Sequence, residues 1–97
     1  MIRSFGNEAT SELFHGVNFR QTRSIATDIK RTAVRKLDMI NAALSVDDLR
    51  SPPGNRLEAL RGDLRGFYSI RINEQWRIIF RWSDGAAEDV EIVDYHR

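Results

Sequence analysis

Cysteine is absent from the 97-residue chain, which excludes a disulfide scaffold, thiolate zinc sites and a cysteine nucleophile. Histidine is nearly absent. His15 and His96 stand far apart, and there is no His-x-x-x-His pair or EF-hand loop, so no metal site or other cofactor is expected. No apolar run approaches the roughly 18 residues a membrane span needs. The opening residues Met1-Ile2-Arg3-Ser4-Phe5-Gly6 contain no apolar signal core, so a cytoplasmic location is expected. No Gly-x-Ser-x-Gly elbow occurs, and the glycines at Gly62 and Gly66 lack the spacing and the Lys-Ser/Thr end of a phosphate loop. Proline is confined to Pro52 and Pro53. Lysine is scarce as well: 13 of the 15 basic residues are Arg, and only Lys30 and Lys36 are Lys.

The residues present belong to a soluble globular class, with 41% hydrophobic and 30% charged residues and a mean hydropathy of −0.46. A chain of this length is expected to form one domain over residues 1–97 around one core. The net charge of +1 conceals segregation. Residues 20–36 carry six basic groups against Asp28, net +5. Residues 50–81 carry seven Arg against Glu58, Asp63 and Glu74, net +4, and residues 82–96 carry five acids and no Lys or Arg, net −5. Blocks of this kind imply a polyanion-facing surface beside an acidic one.

Periodicity organises the chain. Met1–Phe5 reads as a short strand, and residues 7–14 as one or two helical turns ending at Gly16. Ile25, Ile29, Ala33, Leu37, Ile40 and Leu44 form one apolar stripe, which predicts a helix over residues 24–44 with Ser24 as its N-cap. A further turn of helix is expected at residues 46–49. Ser51-Pro52-Pro53-Gly54-Asn55 is a loop, residues 56–60 a short strand, and residues 61–66 a Gly-bracketed turn. Alternation then predicts strands over 67–73, 75–82 and 88–95, joined at Asn73-Glu74 and Asp84-Gly85. The expected fold is α+β: a small antiparallel sheet made of the N-terminal strand and a C-terminal meander, with two to three helices packed on one face. The helices cover Tyr68, Ile70, Ile72, Trp76, Ile78 and Phe80, which leaves Arg71, Arg77, Arg81 and Tyr95 together on the other face.

That face carries the candidate chemistry. RNA is cut without metal when three tasks are filled: a base draws the proton from the attacking 2′-OH, cations stabilise the phosphorane-like transition state, and an acid protonates the 5′-oxygen. Arg61, Arg71 and Arg77 suit the second task, because Arg stays charged and binds phosphate oxygens in pairs. His96 suits the first or the third. Tyr95 can stack on a base or donate a hydrogen bond, and Asp94 can orient His96 or share the base role with Glu58. The same residues also read as an ordinary polar sheet face with a solvated tail.

Specific strings decide between those readings. They are Met1-Ile2-Arg3-Ser4-Phe5; Arg35-Lys36-Leu37; the run Leu49-Arg50-Ser51-Pro52-Pro53-Gly54-Asn55-Arg56-Leu57-Glu58-Ala59-Leu60; Ser69-Ile70-Arg71-Ile72-Asn73; Gln75-Trp76-Arg77-Ile78; and Val93-Asp94-Tyr95-His96. In this order they resemble the HigB-type toxins of the RelE/ParE toxin–antitoxin superfamily, in the subgroup once labelled plasmid maintenance system killer proteins. The resemblance covers nearly the whole chain. It implies a RelE-like fold and a ribosome-dependent, metal-independent mRNA endonuclease that acts in the A site of the 70S ribosome and inhibits translation. It also implies a HigA-type helix-turn-helix antitoxin as partner, with operator DNA reached only through that antitoxin. By motif, Arg77 matches an Arg that holds the scissile phosphate. Arg61 replaces a Lys found in some members, and Asp94, Tyr95 and His96 match the C-terminal catalytic trio. Glu58 stands where some members have His; it can serve as a base but cannot mimic a cationic His. Arg31, Arg35, Lys36, Arg56 and Arg71 are the expected RNA or ribosome contacts, and the acidic residues 84–91 the expected neighbour of a basic antitoxin surface. The alternatives are a ParE-like gyrase inhibitor, or a weakened toxin that serves mainly as antitoxin partner and co-repressor.

Overall fold

A computed structural model describes residues 1–16 and 27–95. The expected N-cap at Ser24, the first part of the basic segment and His96 lie outside the described residues. Helix α1 spans Glu8–Phe14; the Asn7 side chain accepts a hydrogen bond from the Thr10 amide at 3.0 Å and so caps its first turn. Helix α2 spans Thr27–Ala42 and turns Ile29, Ala33, Leu37 and Ile40 into the core along the expected stripe. The stripe fails at its last member. Leu44 is 86% exposed, because the helix stops at Ala42 and Ala43 takes the buried position instead. Beyond that stop, the Asp48 carboxylate accepts from the Leu44 and Ser45 amides at 2.8 and 3.2 Å, opening a 3-10 turn over Val46–Arg50.

The sheet has four antiparallel strands in the order β1 (Glu58–Ala59), β2 (Phe67–Arg71), β3 (Trp76–Ser83) and β4 (Ala86–Asp94). Asp84 and Gly85 both have positive φ (51° and 76°), the geometry of the two-residue hairpin turn the sequence predicts between β3 and β4. At the other hairpin the Asn73 side chain accepts from the Gln75 and Trp76 amides, both at 2.8 Å.

The expected N-terminal strand becomes an extended segment that touches β4 in parallel through two separate bridges, Ile2 to Ala87 and Phe5 to Val90. The break between them has a local cause. The β3–β4 register shifts between Ile79 and Arg81, and Asp89 sits at φ 52°. The Asp89 amide is met by the Ser4 hydroxyl at 2.9 Å rather than by a ladder carbonyl. Thr10, fully buried, extends the cover of this edge by accepting from the Ile92 amide at 3.0 Å. One hydrophobic cluster joins α2 to the inner face of the sheet through Leu37, Ile40, Ile70, Ile78, Phe80 and Val90. That leaves the outer face to the charged residues.

Candidate active site

Strand register brings Arg71 directly opposite Arg77. The Ile72 amide donates to the Trp76 carbonyl at 2.9 Å, so residues 72 and 76 form a hydrogen-bonded pair. The next pair, Arg71 and Arg77, is therefore of the closely spaced kind, about 4.5 Å between Cα atoms. Two like charges directly opposite each other on a sheet are destabilising, and an anion between them removes that cost.

Arg77 is the centre of the arrangement. Its side chain is only 11% exposed. One terminal nitrogen donates to the Arg56 carbonyl at 2.8 Å and stands 3.7 Å from a Glu58 carboxylate oxygen. Its guanidinium carbon lies 5.4 Å from the centroid of the Tyr95 ring, within cation–π range. The buried Nε meets no hydrogen-bond partner among the described residues. Burial pushes the Arg77 guanidinium below its ordinary value; Glu58 and Tyr95 oppose this, and Arg71 and Arg56 reinforce it. Arg remains charged at neutral pH under such a shift.

Local structure explains how Arg77 is held. Pro53–Asn55 form a 3-10 turn that ends at Arg56 in the left-handed region, φ 46°. That conformation is uncommon for a residue with a side chain. Asn55 is fully buried, and its amide donates to the Leu49 carbonyl at 3.1 Å and more weakly to the Ser51 carbonyl at 3.4 Å. Asn55 thus anchors the loop whose next carbonyl holds Arg77. Sequence reasoning passed over Asn55; its signal was a hydrogen-bonding side chain directly after Pro-Pro-Gly. Ser69 was passed over too. It lies opposite Glu58, fully buried, with a hydroxyl that has no hydrogen-bond partner among the described residues.

Two open hollows lie here, one lined by Arg77 itself and the other by its neighbours Glu58 and Tyr95. One, of about 230 Å³, is lined by Arg56, Arg71, Asn73, Glu74 and Arg77. The other, of about 520 Å³, is lined by Glu58, Ala59, Leu60, Arg61 and Tyr95. Of the expected site residues, Glu58, Arg61, Arg77 and Tyr95 therefore converge, with Arg56 and Arg71 beside them. Asp94 is placed differently: it pairs with Trp76, so strand alternation puts it on the face opposite Tyr95, and it accepts from the Gln75 side chain at 3.1 Å. Arg31 and Arg35 are exposed on α2.

Lys36 departs from the expected surface role. It is 6% exposed, and its ammonium donates to the Arg71 carbonyl at 2.6 Å. Lys36 follows the helix stripe inward beside Leu37, and the carbonyl it meets gives its ammonium a hydrogen-bond partner. Arg81, expected beside Arg77, lies two ladder repeats farther along, beyond Ile79, about 13 Å away. There it pairs with Asp89 at 3.4 Å and covers the Phe67 ring at 4.3 Å. The acidic stretch is partly neutralised within the chain, by that pair and by Arg3 to Glu88 at 2.8 Å. Among the described residues no group of three or more His, Asp or Glu could hold a metal ion, and no helix is long and apolar enough to cross a membrane.

The arrangement pairs a carboxylate with a fixed guanidinium, a second and third Arg at hand and an aromatic ring beside them. Those are the parts that bind and polarise a phosphodiester. Toxin HigB-1 of Vibrio cholerae is 48% identical over 68 residues, covering 70% of this chain and 72% of that protein. Endoribonuclease HigB of Proteus vulgaris is 34% identical over 98 residues, covering 99% of this chain and all of that protein. The YoeB–YefM complex from Staphylococcus aureus shares the fold, with a TM-score of 0.61 at 16% identity over 100% of this chain and 99% of that one. Residues 4–96 match the family described as the RelE-like toxin of type II toxin–antitoxin system HigB, and the chain belongs to that family.

Proposed function

We propose that this toxin is an endoribonuclease that cleaves mRNA on the ribosome, without a metal ion, and thereby stops translation in the cytoplasm. The observation that carries the reading is the Arg71–Arg77 pair: two cations held at the narrow spacing of the sheet, with Glu58 and Tyr95 against Arg77. An RNA phosphate satisfies both guanidiniums at once. Glu58 takes the proton of the 2′-OH as that oxygen attacks phosphorus. Arg77 and Arg71 stabilise the added negative charge. The bond to the 5′-oxygen breaks, and that oxygen takes a proton from His96, which follows Tyr95 in the chain. The products are a 2′,3′-cyclic phosphate and a 5′-hydroxyl. Tyr95 stacks on a neighbouring base, and Arg61 holds the adjoining phosphate. Exposed Arg31 and Arg35 supply sequence-independent affinity for ribosomal RNA.

The name of the Proteus vulgaris relative, Endoribonuclease HigB, supports the chemistry. The staphylococcal relative in fold, solved as a complex of YoeB with YefM, supports a protein antitoxin; for this chain we assign a helix-turn-helix partner through which the pair reaches operator DNA. The test is induction in cells followed by mapping of transcript 5′ ends. Wild type should yield codon-phased cuts that disappear in Arg77→Ala and His96→Ala. An absence of phased cuts in wild type overturns the reading. So does a loss of thymidine incorporation before that of amino acids, which points instead to gyrase inhibition.

A further inference from the structure

One buried cation has no part in the chemistry above, and its position is specific. Strand β1 pairs only Glu58 with Ser69 and Ala59 with Tyr68. Arg71 is two residues beyond the last of these pairs. In the closely spaced pair with Arg77, its backbone groups point away from β3, toward the side β1 would occupy if it were longer. A carbonyl exposed there would lack its ladder donor. The Lys36 ammonium fills that place from α2 at 2.6 Å, with the side chain otherwise enclosed in the core.

We propose that Lys36 is a positioning residue of the RNA-binding cleft: by holding the Arg71 carbonyl it fixes the end of β2 and so sets the Arg71 side chain opposite Arg77. A neutral residue of similar length, such as Met, fills the same volume without placing a third cation beneath two others. Burial, and then Arg35, Arg71 and Arg77, push the Lys36 ammonium below its ordinary value. A buried ammonium beside guanidiniums is unfavourable by itself, and here it is met by the Arg71 carbonyl.

The proposal rests on the cleft reading above, and a double-mutant cycle separates the two. Binding of a short 2′-O-methyl RNA oligonucleotide is measured for wild type, Lys36→Met, Lys36→Gln, Arg71→Ala, Arg77→Ala and the Lys36→Met/Arg71→Ala double variant, with thermal melting of each. Lys36→Met should melt at or above the wild-type temperature yet bind RNA about tenfold more weakly, because Arg71 is no longer held. In the Arg71→Ala background the same change should matter less than about twofold, since the residue it acts through is gone. Lys36→Gln keeps a donor for the carbonyl and should recover most of the affinity. Full affinity in Lys36→Met overturns the proposal, as does an undiminished loss in the Arg71→Ala background or a Lys36→Gln variant as weak as Lys36→Met. If Lys36→Met does not fold, Lys36→Leu takes its place with the same expected and overturning outcomes, and Lys36→Gln is read against it. Wild-type binding that Arg77→Ala leaves unchanged rejects the cleft reading itself, and the Lys36 role falls with it.

Discussion

Replacing Arg77 by Met should separate what this residue does for the fold from what it does for the substrate. The side chain is 11% exposed, so the change removes a nearly buried charge while filling much of the same volume. Its interactions set the balance. The hydrogen bond to the Arg56 carbonyl, made by a charged donor, contributes about 1.5–3 kcal/mol. The pair with Glu58 at 3.7 Å contributes at most about 1 kcal/mol, because half of the Glu58 side chain is in solvent. Against these stands the repulsion from Arg71 across the closely spaced pair, about 3 kcal/mol for charges some 6 Å apart at an effective dielectric of about 20. The sum lies within about 1 kcal/mol of zero, so the melting temperature should move by no more than about 8 °C. Activity should not be spared. Removing one preorganised donor to a developing phosphorane costs about 10²–10³ in rate. The assay is cleavage of ribosome-bound message beside a thermal melt of the same preparation. A fall in melting temperature of more than about 15 °C would show Arg77 to be a structural brace. Cleavage within about tenfold of wild type would show that it does not meet the transition state.

Arg56→Gly removes a side chain from the smaller hollow while keeping the carbonyl that holds Arg77, and it places glycine at a φ of 46° that suits it. Stability should stay within about 1 kcal/mol of wild type by urea unfolding, while the salt dependence of RNA binding should fall by about one phosphate contact, a slope change of about 0.7. A salt slope equal to that of wild type would remove Arg56 from the interface. Asp48 offers a test by pH: hydrogen bonds from the Leu44 and Ser45 amides hold its carboxyl below the usual value of 3.8. A depressed native value means the contribution is present above the unfolded value and is lost as pH falls through the native one. Asp48→Asn should therefore flatten the acid limb of the stability curve below about pH 4; an unchanged acid limb in circular dichroism would contradict that role.

The meander was legible because Tyr68, Ile70 and Ile72 and then Trp76, Ile78, Phe80 and Trp82 recur at every second position, and Asp-Gly leaves few turns other than the one observed. Helix α2 was legible from its stripe, and its end was not. Leu44 continues the four-residue spacing by composition alone, while the chain stops the helix at Ala42 and caps the next turn with Asp48. The N-terminal segment looked like a strand because its residues suit one; whether it forms a ladder depended on an irregularity in β4 that its own residues do not encode. Arg77, Tyr95 and Glu58, expected from motif and side-chain type, lie against one another. Asn55 was missed because its role, holding the loop that presents the Arg56 carbonyl, depends on the carbonyls that surround it.

The sequence by itself determined that this chain carries an Arg-rich sheet face over an apolar one, and its strings alone pointed to the toxin family. Period-two alternation tells each residue which side of its own strand it occupies. It does not tell which neighbours stand across from it, since register depends on how hairpins and packed faces settle together. Only the tertiary structure put Arg71 against Arg77 at the narrow spacing, set Asp94 across from Trp76 and drew Lys36 inward. The last follows from a carbonyl left open where a two-residue strand ends, and a long cation on the adjacent helix is the group able to reach it.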